Sequence, residues 1–363
     1  MIDTIKFRVP IYSDMYEAIK AKSHESVRKD NWLMGFEDWR RLDGAVTVKP
    51  FNAKVGVFAF DDTSVYLECS LPKIVYGHNV KMFYPSQLLP TAELIEQTLR
   101  AYYGDFPSYK LWLIQRLDMC YAYKLSSHLE ALRILDFLSV LRYPRKSIHI
   151  YPKESVNWGG RSYNMKFYLK ELEFYKKGMK EMILNGFERE ADEALALSKG
   201  VLRFEITFRK AKLNELFKEE IDKNVNPLYK GKNIYIKDIL KEDLYINTLN
   251  QYLKTLLGGI DKRSMSFEAS MGLLKKTFGK DKPLRLFNFY TNYYSKDPYL
   301  RKIIRKEYNS SNIRRNLESL HEAGVGIPND DNSVPFDLTI PNINAVNTDS
   351  VLLPAKRGEE FKQ

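Results

Sequence analysis

"RSYNMKFYLKELEFYKKG", residues 161–178, changes its period part-way along. The segment "YNMKFYLK" alternates like a strand, in which successive side chains point to opposite faces. Tyr163, Met165, Phe167 and Leu169 then share an apolar face, while Asn164, Lys166, Tyr168 and Lys170 share a polar one. The next segment, "LEFYKKGMKEMILNGFEREADEALAL", has helical spacing with a break at Gly186. A half-buried strand therefore runs directly into a helix, and one tyrosine, Tyr168, is left between Lys166 and Lys170 on the polar side.

The same reading extends outward. "DTIKFRVPI", "GAVTVKPF", "KVGVFAFD", "SVYLECSL", "LWLIQRLDMCYAY", "KSIHIYP" and "GVLRFEITFRK" read as strands. "AELIEQTLRAYY" and "KLNELFKEEID" read as helices, as does "SSHLEALRILDFLSVL", which opens on a capping box from Ser127 to Glu130. Residues 1–215 are thus expected to form one α+β domain. Residues 216–327 change to helices and polar loops, and residues 328–363, rich in Asn, Asp and Pro, read as a loosely ordered tail. In "NSSNIRRNLESLHEAGVGI", Ile313, Leu317 and Leu320 make one apolar face, Arg314 and Arg315 point elsewhere, and Gly324 ends the helix.

With 363 residues the chain can build more than one sizeable core. It has no apolar run of the roughly 18 residues that span a bilayer, and its start lacks the apolar core of a signal peptide. A soluble cytoplasmic protein is expected. Two cysteines, Cys69 and Cys120, exclude a disulfide framework and a four-cysteine zinc site. The net charge is +11. Residues 226–315 hold 19 Lys/Arg against 8 Asp/Glu; removing them from the 57 basic and 46 acidic residues of the chain leaves 38 of each. The excess sits in one C-terminal block, which includes Lys275, Lys276, Arg301, Lys302, Arg314 and Arg315. A lysine-rich solvated surface and an electrostatic footprint for nucleic acid both fit; the second accounts better for the concentration.

Two readings stand for Tyr168. Tyrosine and lysine share many solvated strand faces. Two ammonium groups beside a phenol also favour a phenolate nucleophile and a bound phosphate. Two further strands each carry an acid with an arginine two residues earlier on the same face: Arg116-x-Asp118 and Arg203-x-Glu205. A buried acid needs a partner or a metal, and oxygen ligands of this kind suit Mg²⁺ or Mn²⁺. Glu68 and Glu173 are additional candidates. The chain has five histidines and no His-x-His pair.

These motifs resemble the gene II proteins of filamentous phages and related plasmid rolling-circle replication initiators. "MIDTIKFRVP" is similar to the family's opening strand, "LECSLPKIVYGHNV" to its Gly-His-Asn-Val segment, and "QRLDMCYAY" to its Arg-Ile-Asp strand. "FYLKELEF" is similar to its Tyr-Leu-Lys-x-x-Glu motif and "GVLRFEITF" to its Leu-Val-Arg-Phe-Glu strand, all in the same order. The resemblance implies a metal-dependent, origin-specific single-strand endonuclease and strand transferase, with Tyr168 as nucleophile forming a 5′-phosphotyrosyl bond, aided by Lys170 or Lys166. It implies Mg²⁺ or Mn²⁺ on Asp118, Glu205 and His78, with Glu68 and Glu173 behind them, although the His-hydrophobic-His strand usual in related rolling-circle enzymes is missing. It also implies a central antiparallel sheet with flanking helices of relaxase-like type and a winged-helix-like second domain. The partners it implies are origin DNA and a host helicase and DNA polymerase in the bacterial cytoplasm, with a homodimer as an open possibility. A non-catalytic DNA-binding regulator and a nuclease that uses water remain the competing functions.

Overall fold

The computed structural model describes residues 1–28, 39–59, 61–139, 141, 143–218, 233–257, 266–279, 282–295, 300, 307–326 and 338–341. The strands in chain order are β1 Ile2–Pro10, β2 His24–Arg28, β3 Trp39–Val48, β4 Ala53–Ala59, β5 Ser64–Ser70, β6 Leu113–Lys124, β7 Ser147–Tyr151, β8 Ser155–Gly159, β9 Tyr163–Leu169 and β10 Val201–Arg209. They form one sheet in the order β2-β3-β4-β5-β1-β6-β10-β9-β8-β7, and every pairing is antiparallel. The chain is α+β around a large antiparallel sheet, as the alternation of its strands implies. Two strands, β2 and β8, are not among those read from the sequence.

The helices are α1 Ser13–Lys20, α2 Leu71–Tyr76, α3 Leu88–Tyr103, α4 His128–Leu138, α5 Lys170–Glu173, α6 Met179–Leu184, α7 Glu188–Ser198, α8 Lys210–Leu216, α9 Glu242–Leu257, α10 Phe267–Phe278, α11 Pro283–Tyr293 and α12 Ser310–Glu322. At α4 the Ser127 hydroxyl accepts from the Glu130 N–H at 3.1 Å. The Glu130 carboxylate returns to the N–H and hydroxyl of Ser126, one residue earlier than a capping box requires. The break at Gly186 is present, with φ +79 between α6 and α7.

One face of the sheet is apolar. Ile5, Phe7, Leu117, Met119, Phe204, Ile206, Phe208, Met165 and Phe167 are all buried, and the Phe167 and Phe204 rings stack at 4.5 Å. Helix α9 closes part of this face: Tyr252 meets Tyr163 at 5.0 Å and Phe208 at 5.4 Å. Of residues 328–363, the described stretch Leu338–Ile340 is tied down here. The Tyr123 hydroxyl donates to the Leu338 carbonyl, and Asn250 bonds the backbone of Ile340.

The other face is polar. Cross-strand partners share a face, so the register lines up Arg116 with Lys6, Asp118 with Thr207 and Asn164, Glu205 with Cys120 and Lys166, and Arg203 with Tyr168. At one end, α5–α7 and the loop after α2 cover this face through a small separate core of Val80, Phe174, Met182, Ala191 and Ala194. The turn 174–178 between α5 and α6 is a π turn, a feature often found where a helix bends around a site. Gly178 lets the Phe174 ring lie against it, which seats Phe174 beside His78.

Candidate active site

Tyr168 lies at the covered end of the polar face and is only 4% exposed. Its hydroxyl donates to Glu205 Oε2 at 3.0 Å. From the sequence, the flanking lysines were expected to stabilise a phenolate. The structure gives the opposite: burial, and next the charge of Glu205, hold the Tyr168 pKa well above the usual phenol value. The lysines lie over the ring instead of at the oxygen, Lys166 Nζ 3.9 Å and Lys170 Nζ 5.6 Å from its centroid. Lys170 is not a strand residue. It begins α5 and is fully buried, donating to Asn79 Oδ1 at 2.8 Å and Glu173 Oε2 at 2.6 Å.

The two Arg-x-acid strands are not equivalent. Arg116 does grip Asp118, at 2.9 and 2.6 Å, and also reaches Glu68 at 3.0 Å. Arg203 makes no hydrogen bond to Glu205, acting on it only through its charge. It is fully buried and donates to the Asn79 carbonyl and to Cys120 Sγ, because the loop after α2 is folded onto its strand end. This leaves Glu205 to Tyr168.

A carboxylate that sequence reasoning missed completes the group. Asp3, on β1, is buried and accepts from the Ser70 hydroxyl at 3.2 Å. Burial works to raise Asp3, yet Arg203 and Lys170 hold it below the usual carboxylate range. Burial and then Asp3 raise Glu205, with Lys166 and Arg203 opposing. Burial pushes Asp118 up to about 7, against its Arg116 partner, and Glu205 and Asp3 add to the rise. Asp3 was hidden because the β1–β6 register shifts between Ile2 and Ile5, so simple alternation does not place it.

Among the described residues no three His, Cys, Asp or Glu side chains come together as a metal-binding group. Four expected ligands are engaged otherwise: Asp118 and Glu68 by Arg116, Glu173 by Lys170, and Glu205 by Tyr168. His78 is buried, its Nδ1 accepting from the Val80 N–H at 3.2 Å. Burial and the nearby Lys81, Lys170 and Arg203 push its pKa down to about 3, so the ring is neutral. The expected Mg²⁺ or Mn²⁺ thus finds no ready ligand set among the described residues.

Of the expected DNA contacts, Lys275 and Lys276 are exposed in the last turn of α10. Arg314 and Arg315 are exposed on α12, with Arg314 paired to Glu318 at 3.0 Å. Leu317 and Leu320 of the same helix are buried, as its apolar face requires. Arg301 and Lys302 lie outside the described residues. No helix among the described residues is long and apolar enough to cross a membrane.

Residues 1–227, which carry the whole sheet and every group around Tyr168, match the family model for the N-terminal part of the phage gene II replication-associated protein. The chain belongs to that family. No curated protein and no solved structure matches it. Membership makes this a replication-associated protein of the initiator type, the filamentous-phage gene II and rolling-circle group, with origin DNA as its partner.

Proposed function

We propose that this member of the gene II family nicks one strand of its origin with Tyr168 and holds the cut strand as a 5′-phosphotyrosyl ester. The observation that supports it most is the Tyr168–Glu205 hydrogen bond, 3.0 Å long, in a buried site flanked by Arg203 and Lys170. A phenol held neutral at rest needs a base, and Glu205 is the acceptor already in place. A carboxylate raised by burial and by a neighbouring acid is a stronger base than a solvated one.

In the proposed step the Tyr168 oxygen bonds to phosphorus and its proton passes to Glu205. The bond from phosphorus to the 3′-oxygen breaks, and that oxygen takes a proton from solvent and leaves as the primer 3′-OH. Lys166, half-exposed over the ring, is the group that moves onto the phosphate and uncovers the phenol. Lys170 and Arg203 supply fixed positive charge for the developing phosphorane. The reverse step rejoins strands without ATP. Mg²⁺ or Mn²⁺ would add Lewis-acid polarisation of the phosphate. Exposed Arg314 and Arg315, in a winged-helix-like reader, would dock the duplex, while a host helicase and polymerase do the unwinding and synthesis.

The test is nicking of supercoiled plasmid carrying the protein's own replicon, with Mg²⁺ or Mn²⁺, followed on denaturing gels. Wild type should give nicks with protein on the 5′ end, and Tyr168→Phe neither. Nicks without protein attached would mean that water is the nucleophile. Tight origin binding without nicking would favour a regulator.

A further inference from the structure

Outside the C-terminal block the chain has equal numbers of basic and acidic residues, yet the fold does not spread them evenly. The start of β7, the start of β9 and the end of β10 meet at the sheet end away from Tyr168. Arg145, Lys146, Arg161, Arg209 and Lys212 gather there. Lys146 Nζ sits 3.2 Å from the Tyr163 ring centroid and donates to the Tyr163 carbonyl, while Lys212 Nζ lies 5.7 Å from the same ring. Arg209 donates to the carbonyls of Gly160 and Arg161 at 2.8 and 2.7 Å. The Lys146 side chain lies across Gly160. Glu215, 2.6 Å from Lys212, is the acid in contact with the group.

Holding like charges this close costs stability unless an anion compensates. Burial, Arg209 and Lys212 together push the Lys146 pKa down to about 8. Next to the group, burial and Arg8 do the same to Lys210, whose ammonium is buried with no hydrogen-bond partner among the described residues. Arg209 shares the Tyr168 face of the sheet, six residues along β10 from Arg203, the cross-strand partner of Tyr168, which is about 20 Å at 3.4 Å per residue. That is roughly six stacked nucleotides of one strand.

We propose that Arg145, Lys146, Arg161, Arg209 and Lys212 form a phosphate-binding anchor for the DNA backbone within the nicking domain, about 20 Å along β10 from the level of Tyr168. The proposal rests on the reading of the chain as a DNA-nicking initiator. The anchor holds the strand in register with the tyrosine and carries no sequence preference of its own.

The experiment uses full-length Tyr168→Phe protein, so that binding is read without cleavage. Fluorescence anisotropy gives the Kd at several salt concentrations for an origin duplex and for one of its single strands. Arg145→Glu/Arg161→Glu changes two exposed side chains and leaves the buried contacts alone. Lys20→Glu/Lys54→Glu, exposed on α1 and β4, is the control. The anchor variant should bind about tenfold or more weakly, and its slope of log K against log salt should fall by about 1.4 to 2, whereas the control matches the parent. The strand form whose slope falls is the form the anchor holds. An unchanged Kd and slope on both forms would overturn the proposal, as would a loss of affinity with an unchanged slope. Nicking by Tyr168→Phe would defeat the proposed function and leave this result readable.

Discussion

Glu205→Gln isolates the proton acceptor from everything else the site does. The amide keeps the shape, and its oxygen can still accept from the Tyr168 hydroxyl, now 3.0 Å from the carboxylate. What is lost is the ability to take the proton. Because Tyr168 is 4% exposed, bulk water is not at hand to substitute. General-base catalysis is worth about 10²- to 10⁴-fold, or roughly 3 to 5.5 kcal/mol of barrier. The fold should tolerate the change: weakening one hydrogen bond costs about 1 kcal/mol, and removing a carboxylate beside Asp3 relieves a repulsion. Single-turnover nicking at saturating protein should therefore slow by about 10²-fold or more, while origin affinity and the melting temperature stay close to those of wild type. A nicking rate within about threefold of wild type at pH 8 would refute the base assignment, since a 10²-fold effect is the least that general-base catalysis predicts.

Three further outcomes come from the geometry. Asp118 has its folded pKa raised to about 7, so the folded state binds the extra proton and stability falls as pH rises from about 4 to 7; chemical-denaturation curves of Asp118→Asn should lose that decline. Arg314→Ala/Arg315→Ala should weaken origin binding and lower its salt slope, and unchanged values in anisotropy titrations would remove the two residues from the interface. Phe204→Ala empties a fully buried ring position stacked on Phe167 at 4.5 Å and should cost about 3 to 5 kcal/mol in urea unfolding.

Strand period carried most of the fold. β4 and β5 alternate most cleanly because one face meets a packed core and the other does not, and α12 shows its buried Leu317 and Leu320 through spacing alone. Tyr168 was legible for the same reason, as the tyrosine on the polar face. Its chemistry was not. Alternation tells which face a side chain takes, and it is silent on what folds over that face. The loop after α2 brings Asn79 to Lys170 and Arg203 from about ninety to over one hundred residues away, which buries the tyrosine and reverses the direction of its pKa. Asp3 was lost to a register shift. The basic sheet end was lost to summation, since Arg145, Arg161 and Arg209 cancel against acids that lie elsewhere in the fold.

In the proposed reaction one phenol oxygen, that of Tyr168, receives the DNA. The direct measurement is to trap the protein–DNA adduct on origin DNA, digest both components, and locate the nucleotide remnant by mass spectrometry. The expected result is a single modified peptide with the remnant on Tyr168. A remnant on Tyr175, which is 60% exposed on the π turn nearby, or on any other residue, would contradict it.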